Sequence, residues 1–298
     1  MQLNAPTITL GRIGVWSWPF STAPAGAVRD AARAIEDMGY GSLWFPETVA
    51  RETFAASSLL LETTREIAVA TGISNIWARD AVAMSAGAQA LGEAHPGRFL
   101  LGLGVSHPAS VANRGGSYRP PLSAMREYLI AMEQAPYMGP EPGVPVPVVL
   151  GALGPKMLSL AGRRTTGAHP YFVPVDHTRI AREALGPDPI LAPEQGVVLE
   201  DDPDRAREIA RSYTTKYLGL PNYARNLRRL GWDESELADG GSDRLVDALV
   251  AWGSPEAITE RVQEHFAAGA DHVSIQVLTE DGGFALGELE ALAPHLLG

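Results

Sequence analysis

Short apolar runs alternate with longer stretches whose apolar positions recur at helical spacing, almost from end to end of the chain. Eight of the short runs read as strands: Arg12–Trp18, Ser42–Pro46, Ile67–Ile73, Arg98–Val105, Val146–Ala152, Gly167–Val173, Glu194–Glu200 and Asp271–Leu278. The stretches between them read as helices. Examples are Pro24–Met38, closed by Gly39 at its carboxyl end, the alanine-rich Ala81–Ala94, and Pro155–Arg164. A longer helical tract, Asp204 to Trp252, follows the seventh strand, with breaks expected at Pro221 and at Gly240-Gly241. Ser254 before Pro255 and Glu256 reads as the cap of the next helix.

Eight strand-then-helix units in 298 residues predict a (β/α)8 TIM barrel, with extra helices between strand seven and the last helix. The strands are apolar nearly throughout, as parallel strands covered on both faces must be. No linker or low-complexity stretch divides the chain, so residues 1–298 read as a single domain.

Composition narrows the chemistry. An apolar fraction of 45% with 20% charged residues is that of an ordinary soluble protein. No apolar run approaches the roughly 18–20 residues that span a bilayer. The N-terminal stretch shows no basic segment followed by an apolar one, so a cytoplasmic location is expected. A net charge of −11 argues against nucleic acid or anionic membranes as partners and leaves a small molecule as the expected one. With no cysteine, disulfides, thiolate metal sites and cysteine nucleophiles are excluded. No histidine pair has the spacing of a helical zinc site, so no metal is expected. Only Lys156 and Lys216 are lysines among 24 basic side chains, a bias that suggests GC-rich codons.

A barrel of this kind works at the carboxyl ends of its strands. Those ends carry Trp16, Ser17 and Trp18, then Glu47, then Gly72 to Asn75, then Ser106 and His107, and later His169 and Tyr171. Glu47 has little structural reason to stand on top of an apolar strand, and His107 sits where a proton donor or acceptor is wanted. Both are candidate catalytic residues. His95, His265 and His295 lie on or just past helices and read as solvent-facing, while His272 begins the eighth strand, at the stability end of the barrel. The fifth strand runs through Gly151-Ala-Leu-Gly-Pro-Lys156 into a helix. This turn completes neither G-x-x-x-x-G-K-[ST] nor G-x-G-x-x-G. Its free amides at a helix start can hold an anion, although a purely structural turn needs the same glycines.

The ordered pieces "AIEDMGYGSLWFPE", "RFLLGLGVSHP", "YRPPLSAMREYL", "VVLGALGPKMLSLAGRRTTGAHPYFVP", "EQGVVLEDDPDRAREIARSYTTKYLGLPNYARNLRRLGW" and "SPEAITERVQEHFAAGADHVSIQVL" cover nearly the whole chain. In them the chain resembles the bacterial luciferase-like superfamily of flavin and deazaflavin enzymes, and within it the coenzyme F420-dependent oxidoreductases of actinobacteria. The resemblance implies a tricyclic ring held at the strand ends, with its phosphate toward the turn after strand five. Gly151, Ala152, Leu153, Gly154 and Lys156 thereby become cofactor candidates. So do Trp16, Gly72, Ile73, Ser74, Asn75, Gly104, Ser106, His169 and Tyr171. It also implies a strand-three bulge with a cis peptide at Gly72-Ile73. His107 stands where sugar-phosphate-oxidising relatives carry a glutamate, a departure that speaks against a sugar phosphate. The segment Ser110–Pro121 would wall the substrate pocket, with Arg114 and Arg119 placed for an anionic substrate group.

The implied activity is hydride transfer between deazaflavin and a small organic substrate. FMN is the alternative cofactor, in a monooxygenase served by a separate reductase, and a non-catalytic cofactor-binding barrel is the third reading. The codon bias favours coenzyme F420 over FMN. Relatives in the superfamily are commonly dimers, which implies a homodimer, although the residues themselves do not define oligomeric state.

Overall fold

The computed structural model describes residues 8–298. Met1–Thr7, the first half of the N-terminal stretch read above for a leader, lie outside the described residues. The first strands are β1 (Ile13–Trp16), β2 (Ser42–Phe45), β3 (Ala68–Thr71), β4 (Ser74–Asn75), β5 (Phe99–Gly104) and β6 (Val148–Leu150). They are followed by β7 (Gly167–Ala168), β8 (Ile190–Leu191), β9 (Glu194–Val198), β10 (Val250–Trp252) and β11 (Val273–Val277). All pair in parallel, in the order β10-β9-β11-β1-β2-β3-β5-β6-β7-β8, with β4 beside β5.

The ring closes because β8 and β9 are one kinked strand. Across the kink, Ala192 N–H donates to Ala168 O (2.9 Å) on one side. On the other, Ser274 N–H donates to Pro193 O (3.0 Å). The run β3–β4 is likewise one strand with a bulge. Its register against β5 is Ala70↔Leu100 before the interruption and Ser74↔Leu103 after it, so one extra residue is inserted. Thr71 fills the gap: its hydroxyl donates to Gly102 O and accepts from Gly102 N–H, each at 2.9 Å. The cis peptide lies within this bulge, at Gly72-Ile73. The eight barrel strands expected from the sequence are therefore present, and the fold is a (β/α)8 TIM barrel.

Alternation along the strands divides two cores. Outward residues such as Ile13, Val15, Leu43, Phe45 and Leu101 pack under the surrounding helices. Inward residues, among them Trp16, Trp44, Ala70, Leu100, Val149 and Ala192, fill the barrel. Trp44 is the central plug, stacked on His169 (4.5 Å) and His272 (5.6 Å), with its indole N–H shared between Ser42 Oγ and His272 Nε2. This plug closes the bottom of the barrel and leaves the carboxyl ends open.

The helical tract after β9 divides into Pro203–Leu218, Pro221–Arg229, Glu234–Leu237 and Asp243–Leu249. Two expectations are corrected here. Val250–Trp252 is not the end of a helix but β10, paired with Gly196–Val198 of β9. The carboxyl half of the seventh barrel strand has splayed from β7 and takes β10 as a neighbour instead. His265 is not solvent-facing: it is fully buried, hydrogen-bonded to Thr178 Oγ1 and Gln195 Oε1, each at 2.8 Å. No described helix is long and apolar enough to cross a membrane.

Candidate functional site

A cavity of about 430 Å³ opens at the carboxyl ends of the strands. Its floor is Trp16, Gly72, Ile73 and His169, and its sides are supplied by Glu47, Asn75, Gly104, Ser106, His107, Gly151, Ala152, Leu153 and Tyr171. Arg114 stands at its edge, its guanidinium donating to Thr48 O at 2.7 Å. Glycine is needed around Ile73. A Cβ on Gly104 would collide with the Ile73 side chain, and one on Gly151 would come within 3.3 Å of it. The bulged strand thus pushes Ile73 against two bare backbones and presents the Gly72-Ile73 peptide to the cavity.

Four expected residues lie elsewhere. Ser74 is buried and its hydroxyl meets Thr53 Oγ1 (3.1 Å) instead of the cavity, because alternation turns it outward from the bulge. Gly154 sits just beyond the lining, next to the Arg229 guanidinium, whose Nη1 lies 3.5 Å from the point a Cβ would occupy. Lys156 is exposed on the first turn of its helix, outside the cavity. Arg119 is exposed and paired with Glu127.

The Glu47 carboxylate is engaged. It accepts from Asn75 N–H (2.7 Å) and forms an ion pair with Arg79, which also reaches Glu52 (2.8 Å). Its strand-two position therefore braces the bulge of strand three. His107 precedes the short helix Pro108–Ala112 without a side-chain bond to it, lies beside Asn222 and has its ring 5.8 Å from that of Tyr223. Burial lowers its pKa, so the ring is neutral at neutral pH.

Two buried polar atoms at the floor have no partner among the described residues: Trp16 Nε1 and His169 Nε2. They flank Gly72, at 2.6 and 3.0 Å from the point where a Cβ would stand. His169 Nδ1 is 2.7 Å from Ala192 O and so carries the proton, which leaves Nε2 as a lone-pair acceptor. Burial holds this histidine at a pKa of about 4. The floor thus offers one donor and one acceptor side by side. An orphaned buried polar group costs about 1–3 kcal/mol, and a polar ring edge bound here would recover that cost. By this criterion the residues fit a flavin-type ring.

The wall opposite the bulge had no signal in the motif reading. Helices Pro203–Leu218 and Pro221–Arg229 bring Lys216, Tyr217, Leu220, Asn222 and Tyr223 to the cavity. Lys216 Nζ stands 4.0 Å above the Trp18 ring, and partial burial lowers its pKa. The available signal was Tyr213 and Tyr217 one helical turn apart, beside the chain's only other lysine. No cluster of residues among those described could hold a metal.

A closed parallel barrel with a cis-peptide bulge at its carboxyl mouth and a cavity over it defines a (β/α)8 barrel with its ligand site at the usual end. The family model of luciferase-like monooxygenase matches residues 8–272, and the chain belongs to that family. Among curated relatives, a 5,10-methylenetetrahydromethanopterin reductase of Methanolobus tindarius is 24% identical, covering 84% of this chain and 90% of the relative. An F420-dependent secondary alcohol dehydrogenase, solved with an F420–acetone adduct, superposes with a TM-score of 0.76 at 16% identity, over 97% of this chain and 99% of the other. The oxygenating constituent of 3,6-diketocamphane monooxygenase from Pseudomonas putida, solved with FMN, gives 0.71 at 17% identity, over 96% and 98%. The protein is an oxidoreductase.

Proposed function

We propose that this oxidoreductase uses coenzyme F420 and transfers a hydride to or from a small organic substrate. The observation that carries the reading is the orphaned pair at the floor, Trp16 Nε1 and His169 Nε2, beside the Gly72-Ile73 peptide. A ring with adjacent carbonyl and N–H groups satisfies both atoms, and the peptide backs its face. The similarity to the F420-dependent secondary alcohol dehydrogenase supports deazaflavin over FMN. Bound there, deazaflavin would supply a two-electron hydride carrier with carbon at its reactive position, which reacts poorly with oxygen.

The chain's own residues then divide the work. Trp16 and His169 orient the ring edge, and Glu47 with Arg79 holds the bulge that supports it. The turn Ala152–Gly154 would offer its amides, and Arg229 its guanidinium, to the cofactor phosphate, while the Gly151 amide stays bound to Leu103 O at 2.8 Å. Neutral His107 faces the open part of the cavity, where it accepts a proton from the substrate or hydrogen-bonds its polar atom.

Titrating the purified protein with coenzyme F420 and with FMN, by fluorescence, tests the reading. F420 should bind in the micromolar range or tighter, and FMN much more weakly. Tight FMN binding without F420 binding would make the protein an FMN-dependent monooxygenase of the same fold.

A further inference from the structure

A carboxylic acid lies buried just behind the cavity wall. Glu194 is 1% exposed, on the inner face of the seventh barrel strand. One of its oxygens accepts from Phe172 N–H (3.1 Å), and both lie 3.1 Å from the Tyr213 hydroxyl. No cation among the described residues offsets it; the groups around it are Tyr213, Tyr171, Tyr217 and Tyr223. An acid so placed is costly as a carboxylate, and no part of the ring-binding site requires it.

The tyrosines continue from it in a row. Tyr213 packs edge-on against Tyr171, their ring centres 6.2 Å apart, and Tyr171 is hydrogen-bonded to the Tyr217 hydroxyl at 2.9 Å. Gln276 Oε1 fixes the Tyr171 hydroxyl from the side at 2.7 Å. Tyr171 and Tyr217 both line the cavity, and Tyr223 stands between Tyr217 and His107, its ring 5.4 Å from one and 5.8 Å from the other.

We propose that Glu194 is a proton store for the active site, joined to the cavity by the hydroxyls of Tyr213, Tyr171 and Tyr217. The inference rests on the oxidoreductase reading above, because it answers a need of that reaction. Hydride addition to a polar double bond leaves a negative atom on the substrate, and neutral His107 is a poor acid for it. The Glu194 O–H bond breaks and an O–H or N–H bond forms on the substrate, while each tyrosine gives one proton forward and takes one from behind. The tyrosines end unchanged and Glu194 ends as a carboxylate, reprotonated from solvent along the same path once the cavity opens. Burial raises the Glu194 pKa to about 8, so the store is filled at neutral pH. The same burial pushes the tyrosines up, so they pass protons without resting as tyrosinates.

Infrared spectroscopy of the cofactor-free protein tests this without reference to cofactor or substrate. A protonated-carboxyl band should be present at neutral pH and absent in Glu194→Gln. On transfer to D2O its isotope shift should develop at least about tenfold more slowly in Tyr171→Phe and in Tyr213→Phe than in the parent. Tyr40→Phe, which alters a hydroxyl bonded to Leu289 O elsewhere, should not change that rate. A band that survives Glu194→Gln, its absence at neutral pH, or equal exchange in parent and Tyr171→Phe overturns the proposal. Failure to bind either cofactor would instead overturn the reading on which it rests.

Discussion

Arg79 grips Glu47 across the top of strands two and three. The ion pair is almost dry, with the Glu47 side chain 3% exposed and that of Arg79 12%. Asn75 N–H, in the bulged strand, binds the same carboxylate at 2.7 Å. Glu47 is thereby committed to holding the bulge, and its position in the site is that of a brace.

The first expectation follows from this pair. Glu47→Gln keeps the shape but leaves Arg79 facing only Glu52. Removing one partner of a buried pair typically costs about 3–5 kcal/mol; Glu52 offsets part of that, so a loss of about 2–3 kcal/mol is expected here. Thermal or urea unfolding should show it, together with weaker cofactor binding. A fall in turnover with stability and affinity intact would instead make Glu47 a proton carrier.

Gly72 supports a second substitution. A methyl group at this position would fall 2.6 Å from Trp16 Nε1 and 3.0 Å from His169 Nε2. Gly72→Ala should therefore block the floor pair and lower cofactor affinity by about tenfold or more, the effect of losing a buried hydrogen bond. Fluorescence titration reads the affinity and circular dichroism confirms the fold. Unchanged affinity in a folded variant would remove the pair from the ring site.

Two cations stand near the turn proposed to hold the cofactor phosphate. Lys156 is in the turn that attracts notice in the sequence, yet it is exposed outside the cavity, whereas Arg229 arrives from a distant helix and lies beside Gly154. Asn226 Oδ1 holds Arg229 Nη1 at 3.0 Å, and the amide nitrogen of Asn226 is buried without a partner. Arg229→Ala should weaken cofactor binding by about 1–3 kcal/mol, as for a charged hydrogen bond, and Lys156→Ala should leave it nearly unchanged. The reverse ranking in a binding titration would return the phosphate to the lysine.

What was legible in the chain follows from physics that is local. The barrel strands could be read because burial on both faces makes each one apolar throughout, and strand order then placed Trp16, His107, Gly151 and His169 at one mouth. Val250–Trp252 was not legible: three residues show no period, and the strand exists only because Gly196–Val198 is free to pair. His265 carried a signal that was not used, since Ile258, Val262 and His265 recur at helical spacing on one buried face. Arg229, Tyr217 and Glu194 could not be found from motifs. Arg229 and Tyr217 reach the site by tertiary packing of helices that follow the seventh strand, and Glu194, on that strand, is marked only by the side chains that pack around it.

The buried titratable groups also set how stability depends on pH. His169 and His272 have their pKa lowered to about 4, and His265 to about 3, all by burial. In the unfolded chain they take up protons near pH 6.5. Below that pH the unfolded state therefore binds more protons than the folded one, and stability falls as pH falls. Glu194 acts in the opposite sense, because its pKa is raised to about 8. Its contribution is complete below the pKa of an ordinary glutamate and is lost as pH rises toward 8 and above. Between pH 5 and 6 three histidines outweigh one carboxyl, a net of two protons, so stability should rise by about 2–3 kcal/mol per pH unit. It should peak near pH 6–7 and then decline by about 0.5 kcal/mol per unit while Glu194 is titrated. Urea midpoints across this range give the curve, and Glu194→Gln should abolish the alkaline decline and steepen the rise between pH 5 and 6 from about two protons to nearly three. A curve that stays flat from pH 5 to 6, or an alkaline decline that persists in Glu194→Gln, would mean that these groups are not buried neutral in the folded protein.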